Sequence, residues 1–239
     1  MESRAPGPED PGSLRPRLGL TTAEIRDRAE RFRAAFHEEL YEARSGRKPW
    51  AERGPLFQGQ SVLRASETLP VIEKAISSAD DEEERRLRRL LRWAARHHLE
   101  STTARLDDEY SYWLATAKVE TGTAAIPVSQ APDLTHCSEP REVRRELSRE
   151  YSFVLEESAP LQLDRLTCWK EGAMELGYGG YLDAVERLAG TNLRALLHEA
   201  RRLVDGTTDE YRELLGHELE TRIGIDAAEA ERHDMGWLT

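Results

Sequence analysis

The longest helical pattern in the sequence runs from Asp80 to Ala117, DDEEERRLRRLLRWAARHHLESTTARLDDEYSYWLATA. It opens with five acidic residues, arginines follow, and acid-first pairs recur four residues apart, as in Glu82 and Arg86. Acids favour the positive N-terminal end of a helix, and each such pair stabilises it by about 0.2–0.5 kcal/mol. Apolar residues recur on the other face at helical spacing. The stretch therefore predicts one helix with a solvated charged face, roughly 50 Å or more in length at 1.5 Å per residue.

Helical signals continue on both sides of this stretch. Thr21 and Glu24 form a capping-box pattern before a helix predicted from about Thr22 to Arg44. Towards the C-terminus, Ser158 and Pro160 favour the start of a separate helix. The dipeptide at 205–206, Asp-Gly, predicts a turn between two further helices, the first of which should direct its leucines inward.

Two segments between the helices have a different character. KVETGTAAIPVSQ at 118–130 places β-branched residues on either side of Thr121-Gly122-Thr123, which predicts a short β-hairpin. APDLTHCSEP at 131–140 is typical of a loop. The predicted fold is all-α, a bundle-like array of about nine helices with one long helix and one short β-hairpin. Residues 1–20 are expected to form a mobile tail and 21–239 a helical domain, with a division near 131–138 as the alternative.

Composition narrows the classes of function. The 239 residues carry a formal net charge of −11, which disfavours nucleic acid and anionic membrane surfaces as partners. No apolar run of 18 or more residues is present, and the first residues lack the apolar centre of a secretory signal. The two cysteines, Cys137 and Cys168, form neither a disulfide framework nor a metal-binding pair. We therefore expect a cytoplasmic location.

The histidines do not follow the patterns of known metal centres. A zinc peptidase needs two histidines four residues apart on a helix, with a glutamate after the first that polarises the attacking water. Three His-Glu pairs occur, but the residue four positions after each histidine is tyrosine, arginine or threonine: His37-Glu38, His198-Glu199 and His217-Glu218. No Glu-x-x-His occurs either, which excludes that pattern of di-iron or di-manganese bundle. We predict no catalytic, cofactor-binding or metal-binding residue in this chain.

Three side chains on the long predicted helix are candidates for the wall of a ligand channel or pocket. Tyr110 and Trp113 share the face that the apolar pattern directs inward, and His98 lies on the same stripe. Packing in the core, with a hydrogen-bond partner for His98, is the alternative interpretation of all three.

Residues 168–225 carry a family resemblance, through Glu175-Leu176-Gly177-Tyr178, Tyr181-Leu182-Asp183 and the helix start from Thr207 to Tyr211. With Arg232-His233-Asp234 and the long helix and hairpin at 80–130, these elements resemble the helical N-terminal region of oligoendopeptidase-type zinc metallopeptidases, the thimet oligopeptidase class. The resemblance covers residues 20–239. It implies a helical half that walls a channel for peptide substrates, with zinc held in a C-terminal catalytic half that follows in the family.

The resemblance implies no catalytic residue in this chain, because none of its positions matches the zinc-binding helix. As one half of a peptidase, the chain should present a large apolar surface near residues 225–239 to a partner chain or catalytic domain. The alternative is a stand-alone, non-catalytic helical binding protein that reuses the scaffold and carries a formed pocket.

Overall fold

A computed structural model describes residues 20–60, 63, 68–122 and 124–238, without the side chain of Trp237. The tail predicted for residues 1–20 lies outside this part except for Leu20. Helices dominate the described part, and the two strands pair as an antiparallel hairpin with Val119 opposite Ile126. The predicted all-α class with a small hairpin is confirmed.

The elements follow one another along the chain with short connections. They are α1 (Thr22–Arg44), α2 (Gly54–Phe57), α3 (Thr68–Ile76), α4 (Asp81–Thr116), β1 (Lys118–Glu120), β2 (Ala125–Pro127), α5 (Ala131–Cys137), α6 (Arg141–Glu175), α7 (Tyr181–Ala189), α8 (Leu193–Arg222), a 3-10 turn (Ala227–Glu229) and α9 (Arg232–Leu238).

The helices α1 and α4 begin where they were predicted to begin. At both starts, side chains accept hydrogen bonds from the free N–H groups of the first turn. At α1, the Thr21 hydroxyl accepts a hydrogen bond from the Glu24 N–H, and the Glu24 carboxylate accepts one from the Thr21 N–H at 2.8 Å. At α4, the Asp80 carboxylate accepts from the N–H groups of Glu82 and Glu83. The long predicted helix is therefore confirmed as a single element of 36 residues.

Three predicted breaks between helices were wrong. Residues 131–137 form α5 rather than a loop, and Pro160 lies inside α6 rather than at the start of a new helix. The pair at 205–206 lies inside α8, where the Thr207 hydroxyl donates to the Leu203 carbonyl instead of capping a second helix. A glycine within a helix costs only about 1 kcal/mol relative to alanine, so it does not by itself end one.

The main core joins α1, α2, α3 and α4. Phe32 and Phe57 lie with ring centroids 4.9 Å apart, beside the buried Ile25, Ile72 and Leu87. Apolar burial of this kind provides the main driving force for folding.

On its other side, α4 packs closely against α6. A Cβ atom added at Gly172 of α6 would lie 3.2 Å from side-chain carbons of both Leu99 and Thr102 on α4. The absence of a side chain at Gly172 thus allows the two long helices to approach, and this contact positions the buried polar groups described below.

Candidate functional site

The three candidate wall residues do not come together. Tyr110 and Trp113 stack with centroids 5.6 Å apart, whereas His98 lies twelve residues earlier on α4, about 18 Å away at 1.5 Å per residue. The Nε2 atom of His98 lies 3.3 Å from the Glu175 carboxylate at the end of α6. These side chains therefore belong to two separate parts of the α4–α6 contact.

The histidine in the core is His97, the neighbour of the predicted one. It is 1% exposed, with its ring stacked on Trp93 at 4.8 Å and the ring of Phe32 edge-on at 4.3 Å. Two helices cover α4 on different sides, and α1 and α6 each bury a different set of its residues. A single apolar stripe therefore does not identify which of two adjacent histidines lies in the core.

A buried polar cluster lies one turn before Tyr110. The Asp107 carboxylate is paired with Arg165 of α6, with Nε at 2.7 Å, and it accepts a hydrogen bond from the Thr103 hydroxyl at 2.9 Å. Trp169 donates from its indole N–H to the same hydroxyl at 3.3 Å. The Arg165 guanidinium also lies over the Tyr110 ring, 5.3 Å from its centroid.

The cluster reaches the loop before α2 through the next residue of α4. Asp108 accepts hydrogen bonds from the backbone N–H groups of Arg53 and Gly54, at 2.6 and 2.8 Å. Arg53 donates in turn to the Asp107 carbonyl at 3.3 Å. Sequence reasoning missed this cluster because the contacts between its three segments join residues more than 50 positions apart. The one local signal was the pair of consecutive acids at 107–108 on an otherwise inward-facing stretch.

A second buried charge anchors the C-terminal segment singled out by the resemblance. Asp234 is 0% exposed and accepts two hydrogen bonds from Arg141, at 3.0 and 2.9 Å, and one from the Glu231 N–H at 3.0 Å. Burial alone would raise the pKa of Asp234, but the Arg141 and Glu231 hydrogen bonds outweigh it and lower the pKa to about 2. Burial also lowers the pKa of the adjacent His233. This arrangement joins α9 to the start of α6, and it is a structural anchor.

The helix α8 is the most unusual element of the molecule. Every residue from 194 to 207 is exposed, although leucines recur there at helical spacing. Leu203 is 68% exposed, and Leu219 near the C-terminal end is the one buried residue of α8. The predicted inward direction of these leucines was therefore wrong. They form a stripe, here called the α8 stripe, made of Leu196, Leu197, Leu203, Val204, Tyr211 and Leu214.

A second group of exposed apolar side chains lies on α6 and the start of α7. It includes Leu163, Leu166 and Met174 of α6, each more than half exposed, and Leu182 of α7. Leu163, Leu166 and Met174 lie near one face of α6, since they are separated by three and eight residues. That face is distinct from the one that holds Arg165 and Gly172 against α4.

The apolar surface expected near residues 225–239 falls on a segment that the structure describes only in part, without Thr239 and the side chain of Trp237. Among the described side chains of 225–238, Ile225, Met235 and Leu238 are only partly exposed. The large apolar side chains that are more than half exposed lie mainly on α6, α7 and α8.

The described residues include no group of three or more histidine, cysteine, aspartate or glutamate side chains arranged to hold a metal ion. No helix in the described part combines the length and the apolar character needed to cross a bilayer. No protein-family model, curated protein or solved structure matches the chain.

Proposed function

We propose that this chain is a non-catalytic helical half of an oligoendopeptidase-like zinc metallopeptidase. In this proposal it forms one wall of a channel for peptide substrates, and a second half, on a partner chain or a further domain, holds the zinc ion. The α8 stripe is the observation that carries the proposal, together with the motif resemblance in residues 168–234.

The physical argument starts from the exposed helix. An amphipathic helix gains most of its stability by burying its apolar stripe against another element, and helices exposed on all sides are only marginally stable in water. The α8 stripe extends from Leu196 to Leu214, about 27 Å at 1.5 Å per residue. Exposed patches of this kind mark protein–protein contacts. The α8 stripe therefore favours a large partner surface over a small ligand.

The residues present in the chain support a separate half that holds the zinc ion. Its 239 residues contain no His-Glu-x-x-His, so a zinc-bound water for peptide hydrolysis has to come from the other half. The Asp107 and Asp234 carboxylates accept hydrogen bonds from Arg165 and Arg141, and each of these pairs holds helices together.

The test is co-expression of this chain, tagged, with segments that contain His-Glu-x-x-His and are encoded after codon 239 or in neighbouring genes. We expect a stable complex that cleaves a quenched fluorescent peptide, while neither half does so alone. Leu203→Asp should abolish the complex. His198→Asp, on the polar face of α8, adds the same charge to the same helix and should leave the complex intact.

Three outcomes would overturn the proposal: peptide cleavage by the purified chain alone, absence of any such segment near its gene, or equal binding by the two variants. Circular dichroism of each variant checks that α8 remains helical.

A further inference from the structure

A groove of about 470 Å³ lies between α4, α6 and α7. That volume falls within the roughly 300–1,000 Å³ that small-ligand pockets occupy. Its walls are mostly apolar and come from all three helices: Leu99, Trp169, Tyr181, Ala184, Val185 and Leu188. The α8 stripe takes no part in it.

The aromatic wall of the groove is preformed. Trp169 and Tyr181 stack with ring centroids 5.3 Å apart and an interplanar angle of 17°. The indole N–H of Trp169 donates to Thr103, which orients the ring, and Ala184 is completely buried beside it. A flat aromatic surface next to a small residue suits an inserted aromatic or branched aliphatic group.

The charged residues that line the groove are two arginines and one glutamate, Glu100. Arg92 and Arg96 of α4 line it and lie four residues apart, hence on one face of the helix. Arg96 is paired with Glu100 at 2.7 Å, whereas Arg92 makes no ion pair with an acidic side chain in the described ranges. Arg92 therefore supplies a positive charge that is complementary to an anionic ligand.

We infer that the groove binds the C-terminal residue of a peptide, with its apolar side chain against Trp169 and Tyr181 and its carboxylate on Arg92. Guanidinium groups bind carboxylates through paired N–H donors, and these hydrogen bonds are stronger than neutral ones. The inference goes beyond the proposed function, because the ligand is held by this chain alone and without a zinc ion.

The test is fluorescence anisotropy with the peptide Ala-Ala-Phe labelled at its N-terminus. We expect the free acid to bind at least tenfold more tightly than the C-terminal amide, and at least tenfold more tightly than Ala-Ala-Ser as the free acid. Arg92→Gln should weaken binding of the acid at least tenfold and leave binding of the amide unchanged. Arg85→Gln removes the same charge from the exposed surface of α4 outside the groove and should change binding less than twofold.

Equal affinity for acid and amide would overturn the inference, as would equal losses in Arg92→Gln and Arg85→Gln. Binding of N-acetylphenylalanine without binding of the tripeptide would also overturn it, since the groove would then accept a small carboxylate and exclude a peptide chain. Both arginines are exposed, so the variants should fold, and thermal unfolding of each checks this. None of these results depends on whether a zinc-bearing half exists.

Discussion

Asp107 of α4 and Arg165 of α6 join the two longest helices through a nearly buried ion pair. The Nε and Nη2 atoms of Arg165 lie 2.7 and 2.5 Å from Oδ1 of Asp107. The Thr103 hydroxyl and the guanidinium of Arg53 complete the surroundings of the carboxylate. A charge pair withdrawn from water in this way depends on both partners.

Replacing Asp107 with alanine should lower the free energy of unfolding by about 3–5 kcal/mol, because the change leaves Arg165 without its counter-charge in a site largely shielded from water. Urea unfolding followed by circular dichroism measures this. Asp209→Ala, at a side chain that is 99% exposed, should change stability by less than about 0.5 kcal/mol. Equal effects of the two substitutions would show that the Asp107 pair does not stabilise the fold.

Gly172→Leu should destabilise the protein by about 1–3 kcal/mol or more, because even a Cβ atom would approach Leu99 and Thr102 to 3.2 Å. Thermal unfolding measures the loss. Gly216→Leu is the matched control, since a Cβ atom at Gly216 in α8 meets no atom within 4 Å. We expect that substitution to be neutral or stabilising through higher helix propensity. A stable Gly172→Leu protein would contradict the close helix approach.

Asp234 should make stability depend on pH in the acid range. Its pKa is about 2 in the folded protein against an ordinary value of 3.8, so the unfolded chain binds more protons between these values. The contribution of Asp234 to stability is therefore present above about pH 4 and is lost as pH decreases towards 2, by on the order of 2 kcal/mol. Asp234→Asn should remove this part of the acid dependence, and urea unfolding from pH 5 to 2 measures it. An unchanged slope in the variant would rule out the Asp234 contribution.

His233 should make stability depend on pH at higher pH values than Asp234 does. The folded protein favours the charged form of Asp234, whereas it favours the neutral form of His233. Burial favours its neutral form and lowers its pKa below 6.5, so the unfolded chain binds the extra proton first as pH falls. Stability should then decrease as pH drops through 6.5 towards the lower folded pKa. His233→Gln should show a smaller decrease between pH 7 and 5 than the parent protein. His217→Gln, on exposed α8, is the control and should retain the parent slope.

Substitutions at Leu219 and at Leu203 of α8 should have different effects on the stability of the isolated chain. Leu219 is 0% exposed, and Leu219→Ala should cost about 2–5 kcal/mol in the isolated chain. Leu203→Ala should cost less than about 0.5 kcal/mol, since its side chain is already in water. Amide hydrogen exchange should be fast across 194–207 and slower at the buried face of α4. A large loss on Leu203→Ala would show that the α8 stripe is buried within the isolated chain.

Local chemistry explains which parts of the fold were predictable. The Thr21–Glu24 capping box, the Asp80 cap and the apolar spacing of α4 act within one or two helical turns, and the predicted helices match the structure there. The hairpin predicted within 118–130 forms for the same reason, with its strands at Lys118–Glu120 and Ala125–Pro127. The continuity of α6 through Pro160 was not predictable, because tertiary packing on α4 outweighs the local preference of proline for a helix start.

Three properties could be predicted from neighbouring residues along the chain: the all-α class, the start of the longest helix, and the lack of the paired histidines of a zinc peptidase. The pairings of Asp107 with Arg165 and of Asp234 with Arg141 depend on the folded arrangement, because the partners are separated by 58 and 93 residues. The exposure of the α8 stripe depends on that arrangement as well. An apolar pattern records that a face gains free energy when buried, whereas the packing of the other helices determines whether anything in the same chain covers it.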